Sequence, residues 1–575
     1  MSTLPLIAFF TVALFASACF AMTDRPVGAP FATRSEVLGV HGMAATSQPL
    51  ATQVAIDILK AGGSAVDAAV AANATLGLME PTGSGVGGDL FAIVWDPATK
   101  RLHGLNASGP APRLMTRDSF ANRGLSRIPD FGPLSISVPG CVDGWRLLSE
   151  RFGRLPLNAV LAPAARYARE GFPVSEVIAH HWAAGAKLRE YPGFADTFLI
   201  NDKAPAKGDI FRNPALAATL ESIGRDGPRA FYDGEIAQRI GAFCEAHDCP
   251  LRAADLAAYH AEWVEPVSVS FHRYDVWELP PNGQGLAVLQ ILNLLEPIDV
   301  KAMGHNSAAY LHHLVEAKKI AFEDRARWYA DPAFAEAPIA ALMSKSYAAE
   351  RRKLLNPAKA SKRIPAGDVE TLQRIASAEA RLREGDTIYL TVADETGMMV
   401  SLIQSNYRGF GSGLCPTGLG FCLQDRASLF SLDPAHPNTL EPGKRPFHTI
   451  IPGFVTRGGD PVLSFGVMGG DMQPQGHVQV LLNMLVFGMN PQEAGDAPRL
   501  YHTGSSEPTG ETMTDGGRLA LESGIGADVR QQLASMGHTL VDDGYFGGYQ
   551  AIMRDPRGFW IGASESRKDG CAIGY

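Results

Sequence analysis

The sequence predicts one layered domain of strands and helices, interrupted once by a charged segment. Three observations lead there. Hydrophobic residues make up 46% and charged residues 19% of the 575, a globular rather than a disordered composition. Strand-like alternation and helical periodicity occur together on both sides of the interruption. No internal repeat or low-complexity tract divides the chain, although its length allows two to four domains.

The elements follow in order. Apolar residues recur at helical spacing from Leu50 to Lys60 (Val54, Ile58), and Gly62-Gly63 stops that helix. Ser64 is placed to cap a second, Ala-rich helix from Ala65 to about Met79. A glycine-dense run, Gly83 to Gly88, then leads into a strand at Leu90–Trp95. Ser135–Val138 alternates like a strand, and after Pro139-Gly140 a helix carries Trp145 and Leu147. Helical patterns dominate Leu157 to Glu245, with Pro163 and Pro173 expected to break them. Val267–Leu279 reads as strands, Leu286–Leu295 and Ser307–Trp328 as helices. Glu350–Asp386 is polar and charged and reads as exposed and mobile. β texture resumes at Thr387–Ala393 and Met399–Ile403, and again at Val462–Val467 and Gln550–Arg554, with a helix around Gln475–Met489.

Fifty-one Lys and Arg against 60 Asp and Glu give a net charge of −9. That balance argues against a nucleic-acid binder or a polybasic membrane-surface protein, whose affinity comes from clustered cations. Leu4 to Ala21 is apolar and ends in small residues, as a cleaved signal peptide does, which points to a periplasmic or secreted protein. A membrane anchor, or a cytoplasmic protein starting at Met22, are the competing readings. Seven cysteines are too few for a disulfide scaffold, and their pairing stays open.

Several chemistries fail on the residues. No Gly-Lys-Ser/Thr follows Gly83–Gly88, so close backbone packing is the better use of that run. No metal is assigned: His312 and Glu316, or His180-His181, lack a His-Glu-x-x-His, and Cys244/Cys249 and Cys415/Cys422 lack a second matching half. There is no Gly-x-Ser-x-Gly elbow either. What remains is Asp386-Thr387, where the charged segment meets a strand. A threonine hydroxyl needs a base within reach. Cutting the chain just ahead of Thr387 supplies one, a free α-amino group with an ordinary pKa of about 7.7–8. Read alone, the dipeptide is a plain turn residue and strand residue.

Its surroundings decide otherwise. Gly385-Asp-Thr-Ile-Tyr-Leu-Thr-Val-Ala-Asp394, Ser405-Asn406, Gly409 to Gly413, Pro442 to Pro446, Gly469-Gly470 and Ala497-Pro-Arg499 resemble the γ-glutamyltransferase family. Met43 to Leu50, Gly62 to Ala69, Gly83 to Gly88 and Pro281 to Gly283 continue the resemblance in the first half. It implies an α+β fold, a four-layer αββα sandwich of the N-terminal-nucleophile hydrolase type. It also implies self-cleavage between Asp386 and Thr387 into a large subunit, 22–386, and a small subunit, 387–575. Catalysis falls to Thr387, with Ser405 hydrogen-bonding the nucleophile and Gly469 and Gly470 forming the oxyanion hole. No cofactor is implied, and the partners are a small-molecule amide and the two subunits themselves, with no nucleic acid.

The chain departs from the family where typical members hold the γ-glutamyl group. Asn106 stands in place of the carboxylate-binding Arg, Leu429 in place of the amine-binding Asp, and His448 and Thr449 in place of paired serines. An unpaired buried charge costs about 3–5 kcal/mol, so γ-glutamyl compounds are expected to be poor substrates. Gly104 to Gly109, Ser405-Asn-Tyr407 and Gln424-Asp-Arg426 resemble the divergent amidohydrolase branch. Asn106, Tyr407, Arg426, His448 and Thr449 are therefore the expected substrate-binding residues, with Arg426 as a substitute cation. A γ-glutamyltransferase with altered clamps, or an uncleaved binding protein, are the alternatives.

Overall fold

The computed structural model describes Arg25, residues 27–368 and residues 387–575. The apolar run 4–21 and Asp386 lie outside those residues. The fold is built on two seven-stranded antiparallel sheets. The first runs Cys571–Gly574, Met43–Thr46, Ile388–Ala393, Met399–Ser405, Asp89–Asp96, Arg101–Ala107, Glu262–Val264. The second runs Val37–Gly39, Trp560–Ser564, Tyr549–Arg554, Asp460–Val467, Gly453–Arg457, Tyr274–Glu278, Val267–Phe271.

Side chains alternate across each strand, and here both faces are apolar. In the first sheet Leu90, Ala92, Leu390, Val392, Val400 and Leu402 share a core with helices Pro49–Lys60 and Ala65–Met79. The intervening residues Phe91, Ile93, Tyr389, Met399 and Ile403 meet Phe454, Ile552 and Trp560 of the second sheet. On that sheet's far face Val455, Leu463, Phe465 and Val467 pack with helices Gly285–Leu295, Ala308–Trp328 and Met472–Leu485. Three apolar layers thus separate four layers of structure, the αββα sandwich of the α+β class. Thr391 Oγ1 and Ser464 Oγ also join the sheets by a hydrogen bond of 2.5 Å.

Local chemistry sets the element ends. Ser64 caps the Ala65–Met79 helix reciprocally with Asp67, a capping box. That helix is almost wholly buried, and its small residues permit close approach: a Cβ on Gly77 would lie 3.2 Å from the Gly85 Cα.

Three sequence expectations need correction. Ser135–Val138 forms no strand; a short 3-10 turn, Pro133–Ser135, precedes a connector whose Val138 N–H bonds the Pro110 carbonyl. Pro163 lies inside the helix Leu157–Glu170, whose buried face (Val160, Leu161, Ala164, Ala165, Ala168) carries it past the missing N–H. The charged segment is anchored as far as Asp368. Arg351 is buried on Asp324 at 3.0 Å, Ile364 joins the core, and the Gly367 N–H donates to Asp324. Cys415 and Cys422 form a disulfide, and Cys141, Cys244, Cys249 and Cys571 are thiols. Among the described residues no helix is long and apolar enough to cross a membrane.

Candidate active site

Thr387 stands just ahead of the inner strand Ile388–Ala393. That strand pairs Ile388 with Gln404, so Thr387 and Ser405 share one end of a central hairpin. Thr387 is buried, and Gln473 Nε2 donates to its Oγ1 at 3.0 Å. The other end of the same amide, Oε1, accepts the Ile451 N–H at 3.1 Å. Gln473 lies in the first turn of helix Met472–Leu485, directly after Gly469-Gly470.

Both glycines adopt left-handed backbone, with φ of +113° at Gly469 and +58° at Gly470. A Cβ on Gly469 would lie 2.7 Å from the Tyr545 ring. Their carbonyls are turned toward the helix and the core: Gly469 accepts Met472 N–H, and Gly470 accepts Gln473 N–H and Gln284 Nε2. Among the described residues their own N–H groups meet no acceptor. Such a pair suits an oxyanion.

The glycine-dense loop packs onto this end of the hairpin, as expected. Gln404 bonds both the N–H and the carbonyl of Gly85, and Asn406 N–H donates to the Gly83 carbonyl. A Cβ on Gly88 would lie 2.2 Å from the Ser405 carbonyl oxygen. Only glycine admits that approach.

Two clefts open here and share Tyr545. The smaller, about 270 Å³, contains Thr387 with Phe131, Phe410, His181, Lys187 and Lys568. The larger, about 420 Å³, contains Gly469, Gly470, Tyr407, Leu429 and Thr449, with Asp471 and Glu507 at its edge. Buried Arg325 binds both of those carboxylates, at 2.9 and 2.5 Å. Burial pushes the Glu507 carboxyl well above the ordinary range, against the opposing pull of Arg325.

The residues expected to bind substrate divide into three groups. Tyr407 and Thr449 face the larger cleft. Arg426 and His448 lie behind its wall. The Arg426 guanidinium lies 4.6 Å from the centre of the Tyr407 ring, which Arg408 also approaches at 4.4 Å, and donates to Thr449 Oγ1 at 3.1 Å. His448 Nε2 meets Asp89 Oδ2 at 2.8 Å, while Asp89 Oδ1 accepts from Gly109 N–H and Gln424 Nε2. Burial raises the Asp89 carboxyl to about 7, with Arg426 opposing the shift. Asn106 faces neither cleft: its amide is spent on Asn282 and Ser108. Ser405 is buried and its Oγ accepts the Tyr407 N–H at 2.6 Å, so in the described contacts Gln473 rather than Ser405 holds the Thr387 hydroxyl.

Sequence reasoning missed Gln473, Asp89, Gln284 and Tyr545. A glutamine three positions past a Gly-Gly pair, at a helix start, is the one local signal that points to the first.

The sequence profile described as Gamma-glutamyltranspeptidase matches residues 51–575. The chain belongs to the γ-glutamyltranspeptidase family. It is 39% identical to the "Glutathione hydrolase-like YwrD proenzyme" of Bacillus subtilis (strain 168), over 94% of this chain and 99% of that one. With the "Oxamate amidohydrolase proenzyme" of Klebsiella pneumoniae subsp. pneumoniae it shares 34% identity, over 94% and 100%. The crystal structure of cephalosporin acylase from Bacillus halodurans superimposes with a TM-score of 0.86 at 40% identity, covering 97% of this chain and 99% of that one. Like its relatives in the γ-glutamyltranspeptidase family, the protein is a hydrolytic enzyme of the self-processing, N-terminal-nucleophile type.

Proposed function

We propose that Thr387 is the nucleophile and that the chain cuts itself between Asp386 and Thr387, yielding subunits 22–386 and 387–575. Thr387 Oγ attacks the Asp386 carbonyl carbon; the carbon–nitrogen bond breaks, and the hydroxyl proton ends on that nitrogen. Water then opens the ester, leaving the Asp386 carboxylate and a free Thr387 amino group. This amino group is the base when Oγ next attacks a substrate amide. The amine leaves, and water hydrolyses the acyl-threonine. Gly469 and Gly470 N–H groups receive the oxyanion, each donor contributing about 2.7–4 kcal/mol.

One observation carries the reading. The Thr387 hydroxyl is buried at the head of an inner strand, bonded to Gln473 within a turn of the glycine pair, and open to a cleft.

The substrate is assigned to small amides outside the γ-glutamyl class. Supporting this, Asn106 is engaged elsewhere and Leu429 puts an apolar side chain where an amine-binding carboxylate is usual. Lys187 in the Thr387 cleft favours an anionic group on the substrate, in keeping with relatives named for oxamate and cephalosporin. Export is part of the proposal, supported by the apolar run Leu4 to Ala21 and by the Cys415–Cys422 disulfide.

Denaturing electrophoresis is the test. Wild-type protein runs as two bands and Thr387→Ala as one; a wild type that stays whole, or a Thr387→Ala variant that splits, overturns the proposal. A panel of acyl donors then ranks oxamate-like and acidic acyl amides above a chromogenic γ-glutamyl amide. Turnover of the latter at the higher rate overturns the substrate assignment.

A further inference from the structure

We propose that Gln473 is a catalytic residue, whose side-chain N–H directs the Thr387 hydroxyl and stabilises negative charge on its oxygen. This builds on Thr387 as the nucleophile.

A glutamine amide has one accepting and one donating end, and its surroundings decide which faces where. The Ile451 N–H can only donate, so the end it meets, at 3.1 Å, is Oε1. The end 3.0 Å from Thr387 Oγ1 is therefore the NH2 group, which can only donate. One lone pair of the hydroxyl is thus engaged. Its proton must point away from Gln473, toward whatever group takes it.

The same bond strengthens as chemistry proceeds. Oγ gains negative charge when it gives up its proton, and again when it departs from the acyl group. Hydrogen bonds to a charged oxygen are roughly twice as strong as neutral ones. Gln473 is fully buried, so water does not compete for the donor. It acts in processing and in turnover alike, because both run through the one oxygen.

Its position also couples parts of the site. Ile451, which fixes the amide, follows Thr449 of the larger cleft by two residues, and Gln473 follows Gly470 by three. One side chain therefore sets the nucleophile relative to both the cleft wall and the glycine pair.

Two substitutions separate chemistry from packing. Gln473→Glu keeps an oxygen on the Ile451 N–H and replaces the donor with an acceptor; Gln473→Met keeps bulk and removes both. The full-length proteins are followed by timed denaturing electrophoresis, by kcat and KM of the cleaved material, and by thermal midpoint. Gln473→Glu is expected to hold its midpoint within a few degrees while self-cleavage slows by about 100-fold or more. In the cleaved fraction kcat falls and KM stays within about twofold. Either variant cutting and turning over at wild-type rates refutes the role. So does a collapse of midpoint and processing together in both, which makes Gln473 a packing residue. A wild type that never splits sinks the nucleophile reading and this one with it, whereas splitting in wild type and variants alike sinks only this one.

Discussion

Replacing Asp89 with Asn isolates the energetics of a carboxyl held in the core beside the site. In the folded protein its pKa rises from 3.8 to about 7, chiefly through burial. Between those values the native state holds more protons than the unfolded chain, so this group's contribution to stability falls as pH rises. About three units at 1.36 kcal/mol each make the full loss about 4 kcal/mol, of which roughly 3 falls between about pH 5 and about pH 8. Asn imitates the protonated carboxyl. Its oxygen keeps the Gly109 and Gln424 donors, and its uncharged NH2 stands in place of Oδ2 beside His448 Nε2. Relative to wild type, Asp89→Asn should therefore gain about 3 kcal/mol of stability on going from about pH 5 to about pH 8. With unfolding entropy near 2.1 cal/mol/K per residue, that is about 2–3 °C in thermal midpoint. Differential scanning calorimetry of both proteins at the two pH values reads it. A variant that sits below wild type by the same margin at both would refute the reasoning, because the carboxylate would then be ionised throughout.

Gly88→Ala puts a methyl 2.2 Å from the Ser405 carbonyl oxygen and 2.4 Å from Asn406 Oδ1. It should cost about 1–3 kcal/mol and slow self-cleavage, checked by melting and by timed electrophoresis. The glycine pair should respond unequally. Gly470→Ala meets open space at φ +58° and costs only about 1–2 kcal/mol of backbone strain. Gly469→Ala adds a collision with Tyr545 and should lose far more kcat; equal losses would contradict the geometry. Removing the Cys415–Cys422 disulfide with paired serines should lower stability by about 2–3 kcal/mol. Reductant should then lower the midpoint of wild type but not of the paired variant.

The sheets were legible because their strands are buried on both faces and read as short apolar runs between turns. Ile388–Ala393, Met399–Ser405 and Asp460–Val467 could hardly be anything else. Ser135–Val138 misled because alternation reports only one chain, whereas a strand needs a neighbour, and this connector's Val138 bonds a loop carbonyl instead. Charge density misled at Arg351, which reads as exposed until Asp324 is brought to it. Thr387 and the glycine pair stood out through resemblance. Gln473 did not, because its contact with Thr387 spans 86 positions and a polar residue in a first helical turn looks like a solvated one. The pairing of Asp89 with His448, 359 positions apart, was hidden for the same reason.

In the first sheet the strands Ile388–Ala393 and Met399–Ser405 lie between Met43–Thr46 and Asp89–Asp96, so stretches from either side of Thr387 interleave in one sheet. The one disulfide among the described residues joins Cys415 to Cys422, both on the same side of the proposed cut. After cutting, nothing covalent among those residues records that the halves were ever one molecule. Folding, which begins as a search within a single chain, can be repeated only as a meeting of two. The mature enzyme would then owe its persistence to the slowness of its unfolding, with a recovery after denaturation that depends on concentration as the precursor's does not.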